Sequence, residues 1–598
     1  MDASLPRWDL RSIYESFDAP EYKRDQELLA EKTAAFLSFL GKTIPEDTEK
    51  AADHILSLIR YYEETGNIAE NLSSFASAIY TTNTRDPRAL NEINILDELA
   101  LPFGKALVAL RERLAEKNDL ILNLIESDER IKRYAFFLKD SLFRANHQMS
   151  PEMEDLTNDL ARSGGDAWSR LQEAVSSTTT GLWDTVTGEK KTIIALRDLA
   201  HDQDRSIRER AYWAELDAWK SMEIPMAASL NGVKGTAITV DTRRGWKTPL
   251  EKSAFQSRIK PSTLDTLIGV LENSLPVFRR YLKTKAKVLG RRSCAFYDLF
   301  APVGTLSKKW TWQEAVKFIP EQFDAFDPAM GNFARLAFSL SWIDAQGREG
   351  KVGGAYCTDF PITGESRILC NFEGSFDSIT TVAHELGHAW HHEVMKDLSR
   401  TQTAYPMTLA ETASTFAETV VFEAALKNSG PEERLGLIEG NLKDCCQVMV
   451  DILSRFYFEN VLFEKRKKAE LSPGELCDIM LDAQKRAYGD GLDESLLHPY
   501  MWAVKGHYYS TSLAFYNYPY AFGQLFALAL YSRAQKEGPG FAKTYREILR
   551  LTGTLPAEDV ALSAGFDIGT RGFWESGVAV IEKRVDEFDK LVEDIISN

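Results

Sequence analysis

Residues 377–396 read DSITTVAHELGHAWHHEVMK, and four of the chain's nine histidines fall inside this stretch. Ser375 or Asp377 can cap a helix that begins here. On that helix His384 and His388 stand at i and i+4, so both rings project from one face, about one turn apart. That is the spacing with which two imidazoles reach a single zinc ion at about 2.0–2.1 Å. Glu385, the next residue, points beside such an ion, where it can take a proton from water. The five letters H-E-x-x-H arise by chance in about one chain in a hundred of this length, so the surroundings must decide. Val382, Ala383, Leu386, Ala389 and Trp390 are apolar or small. They predict a buried helix, in which histidines and a glutamate need partners. His391 and His392 are expected to support the site from outside or to lie at the surface, because three protein ligands and an open position suffice for catalytic zinc.

The third ligand is sought in MTLAETASTFAETVVFEAALKNSGP, residues 407–431. Glu411 and Glu418 interrupt an otherwise apolar helix and, seven residues apart, share a face. Glu411 follows His388 by 23 residues, room for a helix to end, a loop to turn and a second helix to cross. It is the expected ligand. Glu418, two turns on, either hydrogen-bonds a ligating histidine or is a solvated, salt-bridged carboxylate. The helix should stop at Asn428-Ser429-Gly430-Pro431.

Around these elements the 598 residues are 44% apolar, ample for a large core. The formal charge is -17, which repels phosphate backbones and anionic lipid and makes nucleic acid and membranes poor partners. The six cysteines form no C-x-x-C pair, and the opening MDASLPRWDLRSIYES has no apolar signal core, so a cytoplasmic protein with reduced thiols is expected. The most apolar late run, FGQLFALALY at 522–531, is half a bilayer span and predicts a buried helix.

Helical periodicity dominates the first 170 residues, as in EKTAAFLSFLGK and ALNEINILDELALPFGKALVALRERLAEKN, and predicts a mainly α fold. The polar break at 176–192 suggests a hairpin around Thr187-Gly188 and a soft boundary between an N-terminal helical lobe, 1–190, and a catalytic domain, 191–598. Residues 341–372 change texture to short apolar runs and glycines. They predict a small antiparallel sheet beside the HExxH helix, with turns at Gln346-Gly347 and Thr363-Gly364.

A late segment, KGHYYSTSLAFYNYPYAF at 505–522, holds His507, Tyr508, Tyr509, Tyr516, Tyr518 and Tyr520. The cluster is either aromatic packing or a source of neutral donors for an oxygen that gains negative charge in a transition state.

Taken together, WDLRSIYESF, SWIDAQGREGKVGGAYC, RILCNFEGSFDSITTVAHELGHAWHH, LAETASTFAE and GHYYSTSLAFYNYPYAFG resemble the zinc metallopeptidases of the thimet oligopeptidase and oligoendopeptidase F group, most closely the oligoendopeptidase F branch. The resemblance implies one zinc per chain on His384, His388 and Glu411, with Glu385 as general base. It singles out His507, Tyr516 and Tyr520 as substrate-contacting donors, with Tyr518 the competing assignment. It places Gly353 and Gly354 beside bound peptide, where the missing side chain permits close approach. It also implies a multi-helix body around a deep substrate channel that admits short unstructured peptides. The expected activity is internal cleavage of such peptides. The rivals are a related helical zinc carboxypeptidase and a non-catalytic peptide-binding scaffold.

Overall fold

The computed structural model describes residues 5–304 and 308–597. Of the described residues, 73% are helical, and two small sheets supply the strands among them. The apolar periodicity read in the N-terminal sequence becomes three long helices, Pro20–Leu40, Thr48–Thr82 and Pro87–Ala115. Asp47 and Asp86 cap the second and third by accepting backbone N–H groups in the first turn. Their inner faces bury Phe36, Ile55, Leu58, Phe103 and Leu110 together. A second cluster joins Tyr14, Tyr22 and Phe75, whose rings meet edge-on or tilted, with Phe360 from the sheet region.

The chain divides into two units that interleave in sequence. The first comprises Met1–Gln148, Lys308–Ala424 and Arg533–Phe566; the second comprises Met149–Ser307, Ala425–Ser532 and Asp567–Asn598. Residue 190 lies inside the second unit.

In the second unit, strands β1 (Thr180–Leu182) and β2 (Lys190–Thr192) form the hairpin expected around Thr187-Gly188, with Gly188 at φ +74°. The same unit holds the 39-residue helix Arg205–Arg243, the helix Pro261–Val288 against Arg571–Ser597, and the helix Ile452–Arg466. The FGQLFALALY run lies in the helix Tyr518–Glu537, and Phe522, Leu525, Phe526, Leu528 and Leu530 are buried there.

In the first unit, β3 (Ile343–Asp344), β4 (Tyr356–Phe360) and β5 (Glu365–Leu369) form a sheet in the order β3-β5-β4. The β4–β5 hairpin is antiparallel, as expected, and turns at residues 361–364 with Gly364 at φ +65°. The third strand differs: β3 pairs with β5 in parallel. The turn expected at Gln346-Gly347 falls instead at Glu349–Gly350. The reason lies in contacts distant in sequence. Buried Lys351 donates to the carbonyls of Asp344, Gln346 and Cys370, while Val352 N–H and Gly350 C=O bond to Thr81 and Thr84 at the end of the helix Thr48–Thr82. That wiring carries the chain across the sheet rather than straight back along β3.

Candidate metal centre

The motif stretch forms the helix Phe376–Met395, and Ser375 caps it by accepting Ser378 N–H at 3.1 Å. Val382, Ala383, Leu386, Ala389 and Trp390 are all buried, which makes this an interior helix. Three side chains fix its far end. His391 is fully buried, stacks on Tyr405 with ring centres 4.3 Å apart, and places Nε2 2.8 Å from Thr552 Oγ1. His392 bonds Ser366 of β5 through Nδ1 and the Tyr405 hydroxyl through Nε2. Arg550 donates to Val394 C=O and pairs with Asp397. His391 is thus a packed anchor and is not exposed.

The second helix runs Met407–Asn428 and stops where the sequence indicated. It crosses the motif helix at Gly387. A Cβ built on Gly387 would lie 2.6 Å from Ala413 O and Ser414 Cα and 2.9 Å from Ala417 Cβ, so only glycine admits this approach. A mid-helix glycine costs about 1 kcal/mol relative to alanine; here it lets two backbones touch. The contact carries Glu411 to the two histidines. Its Oε2 lies 3.2 Å from His384 Nε2 and 3.5 Å from His388 Nε2. The three ligand atoms all lie within 4.8 Å of one another.

Glu418 Oε2 is 3.2 Å from His384 Nδ1. A carboxylate can only accept, so Nδ1 donates and Nε2 is left to face Glu411. Ser414 donates to Glu411 Oε2 at 2.8 Å and steadies that carboxylate. Neither Ser414 nor Gly387 was singled out from sequence. The available signals were Ser414's place three residues after Glu411 and a helix-weakening glycine inside the motif itself.

Electrostatics follow from burial and these contacts. Burial alone would lower the His384 ring, but hydrogen bonds with Glu411 and Glu418 outweigh it and raise it to about 10. Burial would raise Glu411, yet the two histidines hold it well below the usual carboxylate range. Burial raises Glu385, against the pull of His384 and His388. Glu385 is 6% exposed, and its Oε2 has no hydrogen-bond partner. Two imidazole nitrogens and one carboxylate oxygen converging beside such a carboxylate match the donor set of a catalytic zinc site, so the residues present fit the ion.

Gly353 and Gly354 lie just before β4 and are exposed. Gly354 has φ +79°, and a Cβ on either would meet nothing within 4 Å. Asn371 Nδ2 donates to Val352 C=O and Gly354 C=O and orders this bend.

In the second unit the late aromatic segment sorts into two groups. Tyr516 and Tyr520 are partly exposed, and the Tyr520 hydroxyl donates to that of Tyr516 at 3.1 Å. The His507 ring centre lies 6.1 Å from that of Tyr516, and its Nε2 is buried without a partner. Burial, reinforced by Arg455 and Lys505, lowers His507 to about 3, so the ring is neutral near pH 7. Tyr518 turns the other way. It is fully buried, and its hydroxyl contacts Ser253 and Ser257. Tyr508 and Tyr509 are buried as well.

An Oligopeptidase F family description matches residues 114–180. An oligoendopeptidase F homolog of Lactococcus lactis subsp. lactis is 24% identical over 98% of this chain and 97% of its own. Oligopeptidase PepF of Bacillus subtilis is 23% identical over 98% and 87%. The crystal structure of oligoendopeptidase-F from Enterococcus faecium superposes with a TM-score of 0.69 at 19% identity, covering 96% of this chain and 99% of that one, and shows the shared fold. The description Peptidase family M3 matches residues 198–579, more than half of the sequence, and the chain belongs to that family.

Proposed function

We propose that this metalloendopeptidase hydrolyses internal bonds of short, unstructured peptides, with one zinc ion held by His384, His388 and Glu411 and with Glu385 as general base. The observation that carries the reading is the convergence of three ligand atoms within 4.8 Å beside a buried carboxylate whose Oε2 is unpartnered. Zinc bound there supplies Lewis acidity, which makes water a better nucleophile and an amide carbonyl a better electrophile. Glu385 accepts the proton of the attacking water and returns it to the departing amine. Glu418 holds His384 in the tautomer that presents Nε2, and Ser414 restrains Glu411. The open bend at Gly353 and Gly354 receives substrate backbone. Tyr516, Tyr520 and neutral His507 donate to the carbonyl oxygen as it gains charge.

The names of the relatives support an oligopeptide substrate and internal cleavage. None of the six cysteines is in a disulfide. Among the described residues no helix is long and apolar enough to cross a membrane.

The test joins metal analysis to cleavage of an end-blocked, quenched peptide library with mass spectrometry of the products. His384→Ala, His388→Ala and Glu411→Ala should each lose tightly bound zinc. Glu385→Gln should keep zinc and peptide binding but lose about 10²–10⁴ in turnover. Wild-type turnover in Glu385→Gln removes the general-base role, and no cleavage of blocked peptides removes the endopeptidase reading.

A further inference from the structure

Tyr516 sits between two residues that one helix holds, Phe515 by ring packing and Asn517 by a buried carboxylate. Glu459, on the helix Ile452–Arg466, is completely buried. Its Oε2 accepts from Asn517 Nδ2 at 2.9 Å. Its Oε1 lies 3.3 Å from the ammonium of Lys234, which is itself completely buried. Asn517 works in two directions: while Nδ2 reaches Glu459, Oδ1 accepts Tyr518 N–H at 2.7 Å at the first turn of the helix Tyr518–Glu537. Phe515 adopts φ +55°, a left-handed conformation that a bulky residue holds only when its surroundings impose it. Its ring packs on Phe456 and Phe463, which lie three residues before and four after Glu459 on the same helix. Lys234 in turn lies over the Phe463 ring, 4.7 Å from its centre.

We propose that Glu459 is the positioning residue for Tyr516, fixing Asn517 on one side of that tyrosine while Phe515 on the other packs on the same helix, and so aiming its hydroxyl from a left-handed turn that would otherwise relax. A buried ion pair is often neutral for stability when compared with an apolar pair. What this pair supplies is a fixed acceptor at the base of an irregular segment, where no secondary structure sets direction. The inference rests on the reading of Tyr516 as a donor to substrate.

Glu459→Gln replaces one acceptor oxygen by a donor, so it cannot serve Asn517 and Lys234 together. Asn517→Asp preserves the helix cap but sets two carboxylates face to face. The double variant Glu459→Gln/Asn517→Asp restores a donor–acceptor pair in the opposite sense and keeps one carboxylate for Lys234. Each single variant should lower kcat about 10- to 100-fold with KM nearly unchanged and zinc content intact, the scale expected for a misplacement of about 1 Å. The double variant should recover most of that loss. If Glu459→Gln does not fold, Asn517→Asp and the double variant carry the comparison.

A second readout needs no activity. With 3-fluorotyrosine placed at position 516 alone, the ¹⁹F resonance should shift or broaden in the singles and return toward its original position in the double. An unmoved ¹⁹F line in both singles, or singles with full kcat while Tyr516→Phe is impaired, overturns the proposal. If Tyr516→Phe itself keeps full kcat, the donor reading fails, and the ¹⁹F line alone decides whether Glu459 positions the residue.

Discussion

Gly387→Ala is the most informative substitution in the metal centre because it changes no ligand. The added Cβ would sit 2.6 Å from Ala413 O and Ser414 Cα, against about 3.4 Å for ordinary contact, a shortfall of about 0.8 Å. The atoms met are backbone, so no side chain can rotate away and the two helices must separate. Glu411 lies two and three residues from the atoms that are pushed and moves with them. Zinc ligand distances tolerate about 0.2 Å, so a displacement several times larger should weaken zinc binding at least about 10- to 100-fold, on the scale of losing an outer partner of a ligand. Stability should change little by comparison. Overpacking costs about 1–3 kcal/mol, and replacing a mid-helix glycine returns about 1 kcal/mol, leaving a net loss of about 0–2 kcal/mol. Zinc affinity is measured by competition with a chromophoric chelator, and stability by denaturant unfolding of the metal-free protein. Gly440→Ala, on the helix Pro431–Cys446 with nothing within 4 Å of the new Cβ, is the control. It should stabilise by up to about 1 kcal/mol and leave zinc affinity unchanged. Unaltered zinc affinity and kcat in Gly387→Ala would refute the argument that close helix approach sets the position of Glu411.

Three further outcomes are expected. Glu418→Gln should retain the fold but weaken zinc binding about 10- to 100-fold, since the amide can no longer accept so strongly from His384 Nδ1; stoichiometric zinc held as tightly as in the parent would show that Glu418 is only a solvated carboxylate. Tyr516→Phe or Tyr520→Phe should reduce kcat and kcat/KM together, by about 10²–10³ for a lost oxyanion donor. Tyr518→Phe, which loses its contacts to Ser253 and Ser257, should instead lower thermal stability and spare kcat; the reverse pattern in steady-state kinetics would exchange the two assignments. A short peptide should be cut while the same sequence inside a folded domain survives, and gel analysis showing digestion of the intact domain would remove the preference for unstructured substrates.

Much of this protein is written in local pattern. The i, i+4 spacing of His384 and His388 places two rings on one face wherever a helix forms, and the apolar neighbours make that helix interior. The stop at Asn428-Ser429-Gly430-Pro431, the turn at Gly188, the β4–β5 hairpin and the buried run at 522–531 likewise depend on residues within a few positions of one another. Tertiary structure decided the matters of distance. Sequence offered two carboxylates on one helix face; the crossing at Gly387 determined that Glu411 meets both Nε2 atoms while Glu418 reaches only the far nitrogen of His384. It turned His391 inward to Thr552, some 160 residues away in the chain. It paired β3 in parallel with β5, because Lys351 and the end of the helix Thr48–Thr82 hold the intervening segment. And it separated Tyr516 from Tyr518, which composition could not, since the side on which each ring is buried depends on a left-handed residue and on a carboxylate from another helix. Periodicity specifies which face of an element is apolar; which other face meets it, and at what separation, is a property of the packed whole.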